Sequence, residues 1–171
     1  MQSRQIYRIS KWPVQASTYP SSPTVPSCTT HTTNTMSAIS TKDLKIIVTG
    51  LTVHADIPAY FRELYGTPQQ IQSAIDLDEQ RIREAGVDVT SYQIDDADTA
   101  GGLQWLDNKL RSEKFDGIIL GSGLRLIPTQ TELFENAVNV CRRANPDVRL
   151  MFNAGPGTNW DTLQRNLENL K

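Results

Sequence analysis

The feature that most limits what this chain can fold into is a strict alternation of two hydrophobic periods from residue 44 onward. Residues 44–48 are a short apolar run followed by Thr49 and Gly50, and residues 117–120 are another, followed by Gly121, Ser122 and Gly123. Short, mainly apolar runs of this length suit strands buried on both faces of a parallel sheet. Residues 87–94 mix apolar side chains with Asp88, Thr90 and Gln93, and residues 148–152 include Arg149, as edge strands do.

Between these runs the period changes to that of a helix. Thr67, Pro68 and Gln70 supply an N-cap, a proline at the first helical position and the reciprocal partner of a capping box. Ile71, Ala74, Ile75, Ile82 and Ala85 then share one face, and Gly86 marks the stop. Asp98 or Thr99 can cap a second helix that turns Leu103, Leu106 and Leu110 inward, with Gly101 and Gly102 weakening its first turn. Thr129 to Glu132 reads as a second capping box, leading a stripe of Leu133, Ala137, Val140, Cys141 and Ala144 that Pro146 ends. Thr158 is expected to open a last helix that buries Trp160, Leu163 and Leu167.

Repeated strand-then-helix units imply a parallel sheet with right-handed crossovers and helices on both faces. With the first and third strands inside and the second and fourth outside, the order is 2-1-3-4. The predicted architecture is therefore an α/β flavodoxin-like three-layer αβα sandwich. In such sheets ligands bind where the strand order reverses, at the carboxyl ends of the first and third strands.

Composition separates this region from what precedes it. Residues 1–42 carry Arg4, Arg8, Lys11 and Lys42 and no acid, whereas residues 43–171 hold thirteen basic and nineteen acidic side chains, so that +4 and −6 give the formal net charge of −2. The first forty residues include fifteen Ser or Thr and four Pro without either period, and are expected to be a disordered leader ahead of a single domain over 43–171. Basic residues in an acid-free, Ser-rich leader fit a mitochondrial transit peptide; a plain tail, a regulatory tail and a true start at Met36 are the competing readings. The expected compartment is the cytoplasm, with the mitochondrion as the alternative.

The acidic balance of the domain argues against nucleic-acid binding through bulk charge. No apolar stretch approaches the eighteen or so residues of a membrane span. Two cysteines, Cys28 and Cys141, and two histidines, His31 and His54, give neither a disulfide framework nor a metal-ligand spacing, so no metal is expected.

The candidate site residues follow from the loops at the carboxyl edge. About sixteen residues, 51–66, separate the first strand from its helix, against two to six in the usual connection. Tyr60, Phe61 and Tyr65 in a short helical element there read as an aromatic lid or as a packing and dimer contact. His54 and Asp56 have a spacing at which a carboxylate can orient an imidazole, and with Ser122 they are the candidate catalytic groups. Thr49, Gly50, Gly121, Gly123 and Arg125 are candidate ligand-binding residues, the glycines allowing close approach and Arg125 pairing with an anion. Asn153, Gly155, Gly157 and Thr158 lead into a helix start, whose free amides favour negative charge.

Lys45 to Gly50 resembles the first strand of short-chain dehydrogenases, but the second and third glycines of the dinucleotide fingerprint are missing. Asp116 to Ser122 is similar to the third-strand segment of flavodoxin-like flavin reductases, with Thr49-Gly50-Leu51-Thr52 in the place of their phosphate loop; that likeness implies a flavin, although the aromatic and Pro-Thr-Tyr pattern after Ser122 is absent. Receiver domains share the sheet order and need acids after the first and third strands that this chain lacks. Over residues 44–170, Asp116, Gly117, Gly121 to Arg125, Leu133 to Glu135, Asn139, Pro146, Phe152 and Asn153 resemble a family of small single-domain α/β proteins without assigned activity. This implies the fold and no reaction.

The expected function is binding of a small anionic molecule, a carboxylate or a phosphate, with catalysis left open and no cofactor required. The alternative is a non-catalytic interaction or regulatory domain that uses the Tyr60, Phe61 and Tyr65 surface, and the two sheet edges permit a homodimer.

Overall fold

A computed structural model describes residues 41–170. The readings of the leader, including the transit signal and the start at Met36, lie outside the described residues. Four parallel strands, β1 (Lys45–Leu51), β2 (Asp88–Ile94), β3 (Gly117–Leu120) and β4 (Arg149–Phe152), form one sheet in the order β2-β1-β3-β4. The predicted strand order is the observed one, and the protein is a small α/β domain with a three-layer arrangement.

Every residue of β3 is buried, because helices cover both faces of the sheet. On one face Ile47, Ile118 and Leu120 pack with Leu106 and Leu110 of α3 (Thr99–Ser112) and with Leu133, Ala137 and Cys141 of α5 (Thr131–Ala144). On the other, Ile46, Val48 and Ile119 pack with Ile82 of α2 (Pro68–Glu84) and Leu163 of α6 (Asn159–Gln164). Neighbouring strand residues thus feed opposite cores, as the two-residue strand period requires. Cys141 sits fully within the first core, and burial pushes its thiol up to about 12, which leaves it a packing group and not a nucleophile.

Local chemistry explains the helix starts. Thr67 and Gln70 form the expected reciprocal cap, the Thr67 amide donating to Gln70 Oε1 at 2.8 Å and the Gln70 amide to Thr67 Oγ1 at 3.3 Å. Asp98 caps α3 through the Gly101 amide at 3.0 Å. Gly102 does more than weaken that helix: a Cβ there would lie 2.7 Å from Ile94, so its absence lets α3 approach β2.

Three expectations are corrected. β1 continues past residue 48 through Thr49 and Gly50 to Leu51, because β2 offers it partners up to Ile94. The capping box at Thr129 does not form; Pro128–Gln130 is a 3-10 turn, the Thr131 hydroxyl donates to the Pro128 carbonyl at 2.8 Å, and α5 begins at Thr131. The last helix ends at Gln164 and resumes as a 3-10 turn over Leu167–Asn169, so Leu163 and Leu170 are fully buried while Trp160 and Leu167 are half-buried.

No helix among the described residues is long and apolar enough to cross a membrane.

Candidate functional site

The segments that leave β1 and β3 diverge at the carboxyl edge, and a cavity of about 310 Å³ opens between them. That volume is at the small end of ligand pockets. Its lining combines strand ends, the residues after β3, α2, and a seven-residue helix, α1 (Ala59–Tyr65), inside the long connection after β1.

The short helix is positioned by its own side chains. Phe61 is buried and its ring stacks near Tyr65, with centroids 6.2 Å apart. The Tyr65 hydroxyl donates to the Ala154 carbonyl at 3.4 Å, and its ring lies where a Cβ on Gly155 would come within 2.9 Å. Gly66 ends the helix at φ +94°, a left-handed conformation that places Thr67 to cap the next helix. The helix therefore ties the segment after β1 to the segment after β4, and Phe61 and Tyr65 line the cavity. Tyr60 does not; it is 59% exposed on the outer face.

Thr49, Gly50, Gly121, Ser122, Gly123 and Asn153 all line the cavity, in the region expected from the strand order. Their polar groups, however, are largely engaged with the protein itself. A further short helix, α4 (Ser122–Leu126), follows β3 directly. The Gly121 amide donates to the Thr49 carbonyl at 2.7 Å, and the Ser122 amide donates to Asn153 Oδ1 at 2.6 Å. Gly121 has a packing role as well: a Cβ there would lie 3.0 Å from Gly50 Cα and 3.3 Å from the Thr49 carbonyl, so the strand ends meet backbone to backbone.

The expected anion site at the last helix is occupied by a carboxylate of this chain. Asp78 of α2 is buried, and its Oδ2 accepts the amides of Asn159 and, at 3.1 Å, Trp160. Asn159 in turn accepts from Asn153 Nδ2 at 2.7 Å. A continuous buried network thus runs from Ser122 through Asn153 and Asn159 to Asp78. The Thr158 hydroxyl accepts the amides of Ala154 and Gly155, each at 3.1 Å, which makes it a turn residue; Thr158, Gly155 and Gly157 are outside the lining.

Arg125, expected against the ligand, is exposed, donates to the Asn153 carbonyl at 3.0 Å and is not part of the lining. His54 and Asp56 are also exposed and outside the lining. No hydrogen bond joins their side chains, and the Asp56 amide instead donates to Asp96 Oδ2 at 3.0 Å. The three expected catalytic groups are therefore not brought together: Ser122 is in the cavity and the other two face solvent.

Sequence reasoning missed the cavity's basic group. Among the described residues Arg62 is the sole Lys or Arg of the lining; its Nη2 donates to the Ala55 carbonyl at 2.8 Å, and its Nη1 is buried without a partner. The Thr49 hydroxyl is likewise buried and unpartnered. Gln72 and Gln93 were missed too: Gln93 accepts the Val53 amide at 3.3 Å and donates to Gln72 Oε1 at 2.8 Å, which fixes one polar patch of the lining. Glu79 lines the cavity paired to Arg83 at 3.0 Å.

The likeness to a flavin phosphate loop does not fit this geometry, since Thr49, Gly50 and Leu51 are strand residues and the Thr52 amide donates to the Ile94 carbonyl at 2.8 Å. Among the described residues no group of three or more His, Cys, Asp or Glu is arranged to hold a metal ion. Compared with models of known protein families the chain matches none, and no curated protein shows significant similarity to it.

Proposed function

We propose that this protein binds a small anionic molecule in the cavity at the carboxyl ends of β1 and β3, with Arg62 as the pairing cation. One observation carries the reading: a residue that lines a ligand-sized cavity has a buried guanidinium nitrogen with no partner among the described residues. A buried charged donor without an acceptor costs several kcal/mol, on the order of 3, and an anionic ligand removes that cost. The reading is of binding, because the expected bases His54 and Asp56 face solvent, outside the lining that includes Ser122.

A ligand that binds only the folded state raises its melting temperature by mass action. A panel of carboxylates and phosphates is therefore expected to contain compounds that raise the melting temperature of the protein and not of its Arg62→Ala variant. If no anion shifts the wild-type transition, the reading fails.

A second reading rests on a different surface. Tyr60 and Leu64 are 59% and 60% exposed, four residues apart on the outer side of α1, where a homodimer or partner contact would cover them. Sedimentation of the wild type against Tyr60→Ser tests it; a monomer in both cases counts against a dimer.

A further inference from the structure

Among the described residues three buried side-chain polar atoms lack a partner, and two of them, Arg62 Nη1 and Thr49 Oγ1, belong to residues that line the same cavity. Folded proteins pair about nine in ten or more of such groups, so two orphans in one lining describe the polar complement of an occupant. Resting on the anion reading above, we infer that this occupant is a small monocarboxylic acid with an apolar body, and not a phosphate or phosphate ester.

The donor set is the first reason. A phosphate group presents three terminal oxygens and nearly two charges, and α/β folds hold it with runs of free backbone amides. Here six amides of the segments after β3 and β4 are taken, which leaves no run of them free: Gly121 by the Thr49 carbonyl, Ser122 by Asn153, Ala154 and Gly155 by Thr158, and Asn159 and Trp160 by Asp78. Of the buried side-chain donors of the lining residues, one guanidinium nitrogen and one hydroxyl remain. A carboxylate, with two oxygens and one charge, matches that supply.

Charge is the second. Asp76 and Glu79 line the same cavity as Arg62, and Glu79 is only 7% exposed. Like charge at close range disfavours the ionised form of an incoming group, and disfavours a dianion more than a monoanion. The third reason is the wall: Ile57, Phe61, Ile71, Ile75 and Ile127 offer aliphatic and aromatic surface for the body of the ligand. Each methylene buried there contributes about 0.8 kcal/mol, or roughly fourfold in affinity, until the space is filled.

Calorimetric titration of the full chain tests this with butanoate, hexanoate and octanoate, each beside the alkyl phosphate and the alcohol of the same length. The expected result is that hexanoate binds about tenfold or more tighter than butanoate, that hexyl phosphate and inorganic phosphate give no heat, and that hexanol binds at least tenfold more weakly than hexanoate. Arg62→Ala should lose hexanoate binding at least tenfold, and Arg62→Lys should recover part of it, with both variants checked for wild-type circular dichroism. Hexyl phosphate binding that depends on Arg62 overturns the carboxylate while leaving the anion reading intact. Equal binding of hexanol and hexanoate, or no binding by any member of the series or by phosphate, overturns both.

Discussion

The segments after β1 and β3 leave the sheet side by side, yet they dispose of their polar groups in opposite ways. After β3, the glycine-bounded Ser122 has its amide held by Asn153, and the neighbouring Gly121 amide is held by Thr49. After β1, a short helix without any recognisable anion motif brings Arg62 into the lining with one nitrogen unsatisfied. Glycine loops and helix starts are anion sites only while their amides are free. In this protein, acceptors distant in sequence, Asp78 and Asn153, reach them first and convert them into joints between elements. The unpaired guanidinium nitrogen of Arg62 sits where packing, not motif, put it.

Four variants bear on this contrast. The largest effect is expected for Asp78→Ala, which strands the amides of Asn159 and Trp160: about 3 kcal/mol off the unfolding free energy by urea titration, and a melting temperature on the order of 10 °C lower. A loss under about 1 kcal/mol would mean that the helix start tolerates being open, and would bring it back as an anion site. Asn153→Ala breaks the same network in the middle and should cost about 2 kcal/mol, with a double mutant that is clearly less destabilised than the sum of the two. Gly121→Ala tests the backbone contact with Gly50, and a loss of roughly 1–2 kcal/mol is expected from the shift it forces. The smallest change belongs to Arg125→Ala, under about 1 kcal/mol, because the side chain is exposed and makes one hydrogen bond to a carbonyl. That variant should titrate with hexanoate as the wild type does; a loss comparable to that of Arg62→Ala would reverse the roles of the two segments.

Strand order, the two cores and the region of the cavity were legible in the sequence because each follows from hydrophobic period and crossover handedness. Asp78 was legible and overlooked: it lies in register with Ile71, Ile75 and Ile82 on the inner stripe of α2, and a carboxylate at an apolar position needs buried donors. Arg62 carried no comparable signal. Its place depends on how Phe61 and Tyr65 seat α1 against residues some ninety positions further along, a tertiary fact with no local pattern. The two capping-box patterns make the same point. The one at Thr67 forms behind Gly66, whereas the one at Thr129 follows a proline that starts a 3-10 turn and commits the nearby Thr131 hydroxyl elsewhere.

A seven-residue helix cannot sustain itself in water, since nucleation costs more than so few hydrogen bonds return. Its order therefore depends on one buried ring, Phe61, and on the contacts of Arg62 with the Ala55 carbonyl and of Tyr65 with the Ala154 carbonyl. The amides of α1 are accordingly expected to exchange with deuterium through local opening, while those of β1 and β3 exchange only when the whole domain unfolds. The cavity is thus walled on one side by a segment expected to open locally and backed by strands expected to open only with the whole domain. Passage of a ligand in and out would be governed by the breathing of a single helical segment, at no cost to the sheet.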